Sequence, residues 1–380
     1  MPMTPLDRQR LQQALLLAEQ AVGLSDPNPR VGCVVGRDDS TLLGQGWTQE
    51  AGGPHAEVMA LREARQQGHC IRGATVWVSL EPCAHHGRTP PCCDALVEAG
   101  VGRVVVAATD PYPAVAGQGI AKLRAAGIAV DLGDDDLRAA AWELNIGFFS
   151  RVVRGRPWVR VKSASSLDGR TALADGQSQW ITGSEARADG HAWRRRAGAV
   201  LTGIGTVLAD DPRMDVRLVP TQRQPLRCVL DSQLRLPMEA RIRHDDRLLV
   251  YAEQARVSAR PDALMGAGTL VGVPVASGGG LDLAAVLRDL AHREINELHV
   301  EAGARLNGAF IEAGLCDELL LYLAPTLLGG GPGIATLAQP PSLAAAQRLN
   351  WAECSRVGTD LRLRLRAAAS APSSWMRAAA

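Results

Sequence analysis

The feature that most constrains this chain is an ordered set of candidate metal ligands that only a particular fold can bring together. His55 and Glu57 flank Ala56, and Cys83 and Cys92 follow further along the chain. Zn²⁺ binds imidazole nitrogen and thiolate sulfur, and a catalytic zinc keeps three protein ligands so that a fourth position can hold water. We predict that His55, Cys83 and Cys92 bind zinc and that Glu57 is a catalytic proton carrier.

The spacing of the two cysteines leaves alternatives for the third ligand. Eight residues separate Cys83 from Cys92. We favour Cys92 because it follows Pro91 at the start of a predicted helix, where the helix dipole and free N–H groups stabilise a thiolate. Three other side chains are alternatives: Cys93, His85 and His86.

The order of these residues resembles the signature of zinc-dependent deaminases, which is His-x-Glu followed by Pro-Cys and a further Cys. In that signature the glutamate moves protons and does not bind the metal. Ordinary buried cysteines are the alternative interpretation, and we favour the metal site because all of the residues occur in order within one strand–helix pattern. The signature implies hydrolytic removal of an amino group.

Length and composition indicate two domains in a reducing compartment. The chain has 380 residues, of which 46% are apolar, and this is enough for two hydrophobic cores. Its eight cysteines show no paired framework spacing, which favours free thiols and a cytoplasmic location.

The charge balance argues against nucleic acid and membranes as partners. Lysine and arginine number 41 against 40 aspartate and glutamate residues, so the net charge is near +1. Residues 1–22 mix apolar and charged positions, which predicts a helix and not a signal peptide. No uncharged apolar stretch approaches the roughly 18 residues that a bilayer crossing needs.

The first part of the chain alternates between helix and strand patterns, which predicts a layered α/β domain over residues 1–150. The expected helices are 11–22, 55–67, 92–99 and 120–126. The expected strands are 32–36, 44–47, 75–80 and 103–108. The candidate ligands fall where strands give way to helices, so we expect helix N-termini to meet at one cleft.

A second alternation predicts another α/β sheet domain over residues 151–370. The arginine-containing stretch 145–157 is expected to be the linker, and residues 371–380 a disordered tail. The expected strands are 158–163, 199–202, 226–231, 248–251, 297–301 and 318–323. The expected helices are 185–196, 283–292 and 305–313.

Two short glycine-containing segments of the second domain suggest nucleotide binding. Residues 301–308 and 203–206 each follow an apolar strand, where small residues let a phosphate approach backbone N–H groups. Neither segment matches the glycine spacing of a dinucleotide fingerprint, so a tight turn is an equally good interpretation of each one alone.

Five segments together resemble the family of bifunctional riboflavin-biosynthesis deaminase/reductases, and the resemblance covers nearly the whole chain. The segments are 26–32, 54–58, 80–92, 166–171 and 300–303. The resemblance implies a cytidine-deaminase-like three-layer α/β domain followed by a dihydrofolate-reductase-like α/β domain. It also implies Zn²⁺ and NADPH as cofactors, a homo-oligomer, and a phosphorylated ribosylaminopyrimidine substrate.

The resemblance also assigns residues to the second reaction by position. It implies nicotinamide cofactor contacts at Ala164, Trp180, Thr206, Asp210, Ser232, Gly303, Ala304, Arg305, Leu306, Asn307, Gly308, Ala309 and Phe310. It implies substrate contacts at Asn28, Ser178, Arg194, Met214, Arg217 and Glu301. Without the resemblance we would interpret Trp180 as a half-buried core aromatic and Ser178 as a turn hydroxyl.

Two rival interpretations stay open at this point. The first is a deaminase of nucleosides or nucleic-acid bases whose C-terminal half only binds ligands. The second is a zinc-stabilised scaffold, which requires a fourth protein ligand such as His85 or His86.

Overall fold

The computed structural model describes residues 3–111, 116–262 and 268–370. The chain divides into two compact units, one extending to Arg154 and the other beginning at Gly155. The division falls within the expected linker, 145–157, but most of that stretch forms a helix, Ile146–Arg154, in which Ile146 and Phe149 are buried. The predicted tail, 371–380, lies outside the described residues.

The first unit is built on a five-stranded sheet with strand order β2-β1-β3-β4-β5. β1 is antiparallel to both of its neighbours, whereas β3, β4 and β5 are parallel. The strands are β1 Gly32–Gly36, β2 Leu42–Trp47, β3 Thr75–Val78, β4 Arg103–Val106 and β5 Ala129–Leu132. The helices are α1 Pro5–Ala18, α2 Ala56–Gln66, α3 Cys92–Ala99, α4 Gln118–Ala125, α5 Asp135–Leu144 and α6 Ile146–Arg154, with a 3-10 turn at Glu19–Ala21.

Helices pack on both faces of this sheet, which makes three layers. Gly32 faces α1 so closely that a Cβ there would lie 1.9 Å from the carbonyl oxygen of Ala14. Gly44 faces α2, where a Cβ would lie 2.4 Å from the carbonyl oxygen of Ala60. Gly44 pairs with Val35 and so faces the same side of the sheet as Val35. Val35 is three residues along β1 from Gly32, so Gly44 and Gly32 face opposite sides of the sheet. The absence of side chains at both glycines lets the two helices approach the strands.

A buried carboxylate ties α1 to the sheet. Asp7 accepts hydrogen bonds from Trp77 Nε1 at 2.8 Å and from Arg103 Nη1 and Nη2 at 2.8 and 3.0 Å. It also accepts the backbone N–H of Thr4 and so completes the cap of α1. Burial alone would raise the pKa of Asp7, but these donors outweigh it and hold the pKa well below its usual value.

We expect Asp7→Asn to lower the free energy of unfolding by about 2–4 kcal/mol, because it breaks the bidentate ion pair with Arg103, which keeps the half-buried Asp131 as a counter-charge. The folded-state pKa of Asp7 is depressed, so its contribution is complete at neutral pH and is lost as the pH falls below about 4. Urea unfolding should therefore show a wild-type advantage at pH 7 that shrinks between pH 4 and pH 2. Asp135→Asn, at an exposed site on α5, is the control. An advantage that does not change with pH would contradict this account.

The second unit is built on a nine-stranded sheet with strand order β10-β9-β8-β7-β11-β6-β12-β14-β13. The first seven strands in this spatial order, β10-β9-β8-β7-β11-β6-β12, are parallel to one another. The last two, β14 and β13, form an antiparallel hairpin at one edge, and β14 is antiparallel to β12. The strands are β6 Trp158–Ser166, β7 Ala199–Gly203, β8 Leu226–Leu230, β9 Leu248–Glu253, β10 Thr269–Val273, β11 Glu297–Glu301, β12 Glu318–Ala324, β13 Leu349–Val357 and β14 Asp360–Ala367. The helices are α7 Ser184–Arg196, α8 Ile204–Asp210, α9 Gln254–Ala259, α10 Leu283–His292 and α11 Ala304–Glu312, with 3-10 turns at Arg241–Arg243, Leu343–Ala345 and Ala368–Ser370.

The parallel strands β8, β7, β11 and β6 are neighbours, so their carboxyl ends lie along one edge of the sheet. In open α/β sheets this edge is where ligands bind. Within the described parts of the chain, no helix has the length and apolar character needed to cross a bilayer.

Candidate metal centre and nucleotide site

Three helix and loop ends bring the predicted metal ligands together in the first unit. His55 is the N-cap residue of α2, Cys92 is the first residue of α3, and Cys83 lies in the segment after β3. The candidate ligand atoms of these residues all lie within 4.8 Å of one another. The arrangement follows the prediction that the ligands sit where strands give way to helices.

The imidazole of His55 presents one nitrogen to both sulfur atoms. Its Nδ1 lies 3.2 Å from Cys92 Sγ and 3.7 Å from Cys83 Sγ. The other nitrogen, Nε2, lies 3.3 Å from the hydroxyl oxygen of Thr89. One nitrogen and two sulfurs, converging from three segments, are a donor set that fits Zn²⁺.

The alternative ligands lie outside this group of three, in the part of the chain that the structure describes. Cys93 is buried and donates its S–H to the carbonyl oxygens of Pro82 and Gly119, at 3.3 and 3.6 Å. His85 and His86 are exposed. The group therefore contains the residues favoured from the sequence and has the three-ligand composition of a catalytic site.

The two cysteines of the group are linked by a side-chain hydrogen bond. The Cys92 thiol donates to Cys83, and this hydrogen bond is the largest of several contacts that lower the pKa of Cys83 to about 4. The same contact and burial raise the pKa of Cys92. A thiolate is the form that binds metal, so Cys83 is already prepared as a ligand.

Glu57 lies beside the ligands on the first turn of α2, and its side chain is buried. Burial, followed by the negative charge of Cys83, raises the pKa of the Glu57 carboxyl. A buried carboxyl with a raised pKa holds and releases a proton closer to neutral pH than an exposed one. Cys33, which the sequence analysis did not single out, is fully buried on β1, and burial and Glu57 raise the pKa of its thiol.

Glu81 is a second residue that the sequence analysis missed, although it directly precedes Pro82 and Cys83. Its buried carboxylate accepts the backbone N–H groups of four residues at 2.9 to 3.3 Å: Asp110, Gly117, Gly119 and Ile120. Glu81 thereby anchors the segment that carries Cys83 to the start of α4.

Asn28, the predicted substrate contact of the first unit, is half-buried in a turn before β1. Its backbone N–H donates to the carbonyl oxygen of Ser25 at 2.9 Å, and Ser25 Oγ donates back to the carbonyl oxygen of Asn28 at 3.3 Å. The role of the Asn28 amide stays a prediction.

Several predicted cofactor residues of the second unit lie at the carboxyl edge of its sheet. Ala164 is near the end of β6, and Thr206 is in α8 directly after β7. Ser232 follows β8, and Gly303 is the N-cap residue of α11 after β11. Because these four strands are neighbours, the four positions follow one edge of the sheet.

Other predicted positions are less accessible. Phe310 is fully buried in the core, and Asn307 is buried with its Nδ2 donating to the carbonyl oxygen of Ile334 at 2.9 Å. A Cβ at Gly308 would lie 1.9 Å from the carbonyl oxygen of Thr336. Met214 is buried in a second apolar cluster. Phe310 and Met214 therefore offer almost no accessible surface to a ligand. The exposed part of the α11 segment is Gly303, Arg305 and Ala309.

The remaining predicted residues of the second unit lie in its loops and helix ends. Trp180 is 67% exposed, and its ring lies 4.6 Å from the guanidinium of Arg187. Ser178 is half-buried in the same segment, and Asp210 is exposed at the end of α8. Trp180 is therefore a surface aromatic and not the half-buried core residue of the alternative interpretation.

Arg194, Glu301 and Arg217 are brought together in one charged cluster. Arg194 Nε and Nη2 donate to the two carboxylate oxygens of Glu301 at 2.5 and 2.9 Å, and its Nη1 donates to the carbonyl oxygen of Asp215 at 2.8 Å. The Asp215 carboxylate accepts from Arg217 at 2.7 Å and from Arg213 at 2.9 Å. Three guanidinium groups against two carboxylates leave this cluster with a net positive charge.

The environment keeps the groups of this cluster in defined charge states. Burial disfavours ionised Glu301, but Arg194 outweighs it and holds the pKa of that carboxyl well below its usual range. Burial, helped by Arg194 and Arg217, lowers the pKa of His191 to about 4, so its Nδ1 accepts the backbone N–H of Arg217 at 3.1 Å. Lys162, which pairs with Glu301 between β6 and β11, has its ammonium pKa lowered by burial. No sequence motif pointed to His191 or Lys162.

Comparison with known proteins relates both units to one family. Residues 157–363 match the model of the RibD C-terminal domain, and residues 5–108 match that of the cytidine and deoxycytidylate deaminase zinc-binding region. The chain is 44% identical to the riboflavin biosynthesis protein RibD of Escherichia coli, over 94% of this chain and 99% of that protein. The chain belongs to the RibD family. The resemblance predicted from the sequence is confirmed.

Relatives in the RibD family support this assignment along the whole chain. The RibD protein of Aquifex aeolicus is 39% identical over 94% of this chain and 97% of that protein. A solved structure of Acinetobacter baumannii RibD has a TM-score of 0.84 at 42% identity, over 95% of this chain and 99% of that chain. The predicted fold class is confirmed, and the chain is a bifunctional riboflavin-biosynthesis enzyme with a deaminase domain and a reductase domain.

A further solved relative carries both activities in its name. It is the diaminohydroxyphosphoribosylaminopyrimidine deaminase/5-amino-6-(5-phosphoribosylamino)uracil reductase of Thermotoga maritima, at 31% identity and a TM-score of 0.83. The match covers 95% of this chain and 99% of that chain.

Proposed function

We propose that the first unit hydrolyses the amino group of 2,5-diamino-6-ribosylamino-4(3H)-pyrimidinone 5′-phosphate. We propose that the second unit then reduces the ribosyl chain of the product to ribityl with NADPH. The observation that carries the first step is the convergence of His55 Nδ1 and two cysteine sulfurs beside a buried carboxyl. The substrate follows the name of the Thermotoga maritima relative.

His55, Cys83 and Cys92 are the residues that would hold Zn²⁺. When bound, the ion supplies Lewis acidity and lowers the pKa of water so that it becomes a nucleophile near neutral pH. The donor set supports this assignment because one imidazole nitrogen and two sulfurs lie within 4.8 Å of one another.

Glu57 moves the protons of the hydrolysis. A C–O bond to the ring carbon forms from water, the C–N bond to the amino group breaks, and ammonia leaves. Glu57 accepts a proton from the attacking water and donates it to the departing nitrogen, so one carboxyl acts first as base and then as acid. Its raised pKa supports this role because a strongly acidic carboxyl would not deliver the proton.

The carboxyl edge of the second sheet is the proposed site of NADPH. Ala164, Thr206, Ser232 and Gly303 follow four neighbouring strand ends, where backbone N–H groups and small residues accept a dinucleotide. Arg194 and Arg217 are proposed to bind the phosphorylated substrate, since the planar guanidinium suits phosphate oxygens and their cluster carries net positive charge.

The reduction requires a hydride at C1′ and a proton at the nitrogen bonded to it. When bound, NADPH would supply the hydride for C1′ of the ring-opened imine; with a proton added to the nitrogen, the product is an amine that carries a ribityl chain. The unit's contribution is to align the two reactants. Glu301 is the carboxylate at the strand end that would influence this proton transfer.

We expect Arg194→Lys to lower kcat/KM of the reductase step by about 10- to 100-fold, mainly through KM for the phosphorylated substrate. Lysine keeps the charge but loses the planar fork that binds Glu301, a contribution of about 1.5–3 kcal/mol. Steady-state kinetics with each substrate varied in turn would measure this. Arg195→Lys, one residue along α7, should behave as wild type. An Arg194→Lys variant with unchanged substrate KM would exclude Arg194 from binding.

One assay tests the proposed function as a whole. Ammonia release and NADPH oxidation are followed together on the phosphorylated diaminopyrimidine, with NADH substituted in a parallel reaction. We expect ammonia to appear before NADPH is consumed, and NADH to be the poorer reductant. Ammonia release without NADPH oxidation would instead favour the rival of a deaminase with a non-catalytic second unit.

We further propose that the protein acts in the cytoplasm as a homo-oligomer. All eight cysteines are free, which suits a reducing compartment. In the described part of the chain the edge strand β13 is largely exposed, and Trp351 on it is 67% exposed. Sedimentation of the purified chain would give the assembly state, and a monomer would contradict the second half of this proposal.

A further inference from the structure

The segment between the two cysteine ligands carries a hydroxyl group that reaches the third ligand. Thr89 Oγ1 lies 3.3 Å from Nε2 of His55, on the side of the ring away from the sulfurs. Nδ1 of the same ring lies 3.2 Å from Cys92 Sγ and 3.7 Å from Cys83 Sγ. The ring is therefore contacted at both nitrogens, by ligand atoms on one side and by a hydroxyl on the other.

These contacts have a chemical consequence for the tautomer of His55. A nitrogen that binds a metal ion must offer its lone pair, so Nδ1 carries no proton and the proton of the neutral ring is on Nε2. Nε2–H then donates to Thr89 Oγ1. Groups that accept this second N–H of a metal-binding histidine fix its tautomer and orientation.

The segment around Thr89 is itself held in place at both ends. The backbone N–H of Gly87 donates to the carbonyl oxygen of Thr89 at 3.2 Å. The backbone N–H of Cys93 donates to the carbonyl oxygen of Cys83 at 3.2 Å, and that of Cys92 donates to Cys83 Sγ at 3.3 Å. The loop is therefore closed on itself, and Thr89 is presented to the ring from a position that does not depend on a long flexible side chain.

We propose that Thr89 is a positioning residue of the metal centre, which accepts Nε2–H of His55 and so directs Nδ1 to the metal. This inference rests on the proposed zinc ligands. It also gives a purpose to the long spacing of the cysteines, because the shorter Pro-Cys-x-x-Cys form of the signature has no residue at an equivalent point of the chain. In other zinc sites a neighbouring carboxylate or backbone carbonyl accepts the second N–H of the metal-binding histidine. Here the acceptor is a hydroxyl group in the inserted segment of the motif itself.

Zinc affinity, and not turnover, is the primary test. Thr89→Val keeps the shape of the side chain and removes the acceptor, whereas Thr89→Ser keeps the hydroxyl and removes a methyl group. In competition with a chelator of known affinity, we expect Thr89→Val to bind Zn²⁺ about 10- to 100-fold more weakly than wild type. Thr89→Ser should stay close to wild type. Wild-type affinity in Thr89→Val would overturn the proposal, as would equal weakening in both variants.

A second measurement uses the wild-type protein and does not depend on any variant folding. In zinc-loaded protein with ¹⁵N-labelled histidine, the shifts of His55 should report a protonated Nε2 and a metal-bound Nδ1. A protonated Nδ1 would overturn the positioning role. If His55 is not a zinc ligand, His55→Ala will bind Zn²⁺ as tightly as wild type. This result differs from the one that overturns the role of Thr89 alone.

Discussion

Replacing Glu57 with Gln should lower the deaminase kcat by about 10²- to 10⁴-fold while zinc stays bound, because the amide keeps the size of the buried carboxyl but cannot carry its proton. Glu57 is not one of the three ligand residues, so the metal content should match wild type. Ammonia release in single-turnover and steady-state assays, together with elemental analysis, measures both quantities.

Glu63→Gln is the matched control for this experiment. Glu63 lies further along α2 and accepts the backbone N–H of Gln45 at 2.5 Å, outside the ligand group. Its variant should release ammonia at close to the wild-type rate. A Glu57→Gln enzyme that turns over normally would remove Glu57 from the proton-transfer role, and one that lacks zinc would make it a structural support of the metal site.

Replacing Cys92 with Ala should remove zinc and abolish ammonia release, whereas Cys93→Ala should keep both. The two residues are adjacent, but Cys92 Sγ faces His55 and Cys93 donates to backbone carbonyl oxygens. With only two ligands left, the site would lose most of its affinity for the metal. Cys93→Ala costs some stability, because it removes a buried thiol and its hydrogen bonds to the carbonyl oxygens of Pro82 and Gly119.

The zinc-to-protein ratio after dialysis separates these variants without reference to activity. We expect about one zinc per chain in wild type and Cys93→Ala, and close to none in Cys92→Ala. The reverse pattern would make Cys93 the ligand and would require the start of α3 to be rotated relative to the described structure. A circular dichroism spectrum that matches wild type would show that the first unit of Cys92→Ala, which contains the substitution, is still folded.

The grouping of His55, Cys83 and Cys92 was predictable because each of them lies in a short, recognisable sequence pattern. His55 and Cys92 fall at helix starts, and α3 was predicted with the bounds that the structure has, Cys92–Ala99. Cys92 was favoured over Cys93 because it directly follows Pro91 at the helix start, and in the structure Cys92 Sγ faces His55 whereas Cys93 donates to backbone carbonyl oxygens. Thr89 and Glu81 were missed because their roles are hydrogen bonds to residues distant in sequence or to backbone groups, and such contacts leave no periodic signal.

The fold of the second unit was predicted in its centre and missed at its edges. The strand Glu297–Glu301 and the helix Leu283–His292 were predicted with their observed bounds, because buried strands and amphipathic helices have clear apolar patterns. The strand Leu349–Val357 was missed, since it is largely exposed and lacks an apolar run. Its partner Asp360–Ala367 alternates leucine with arginine, and that signal was available but was not used.

The helix within the expected linker was missed for a different reason. The arginines of 145–157 suggested a solvated connection, whereas the buried positions Ile146 and Phe149 recur at the spacing of one helical turn. Charged residues on one side of a short helix concealed the apolar side. The reductase site was the least predictable part, because Arg194, Asp215 and Glu301 meet only after the sheet has assembled.

The place of β6 in its sheet sets an order of events for a newly made chain. β6 is the first strand of the second unit to leave the ribosome, yet it lies between β11 and β12, which begin only at Glu297 and Glu318. The first unit pairs its strands within the first 154 residues and can complete its core during synthesis. The centre of the second unit must wait for nearly the whole polypeptide, so truncated products should acquire a folded deaminase domain and no reductase domain.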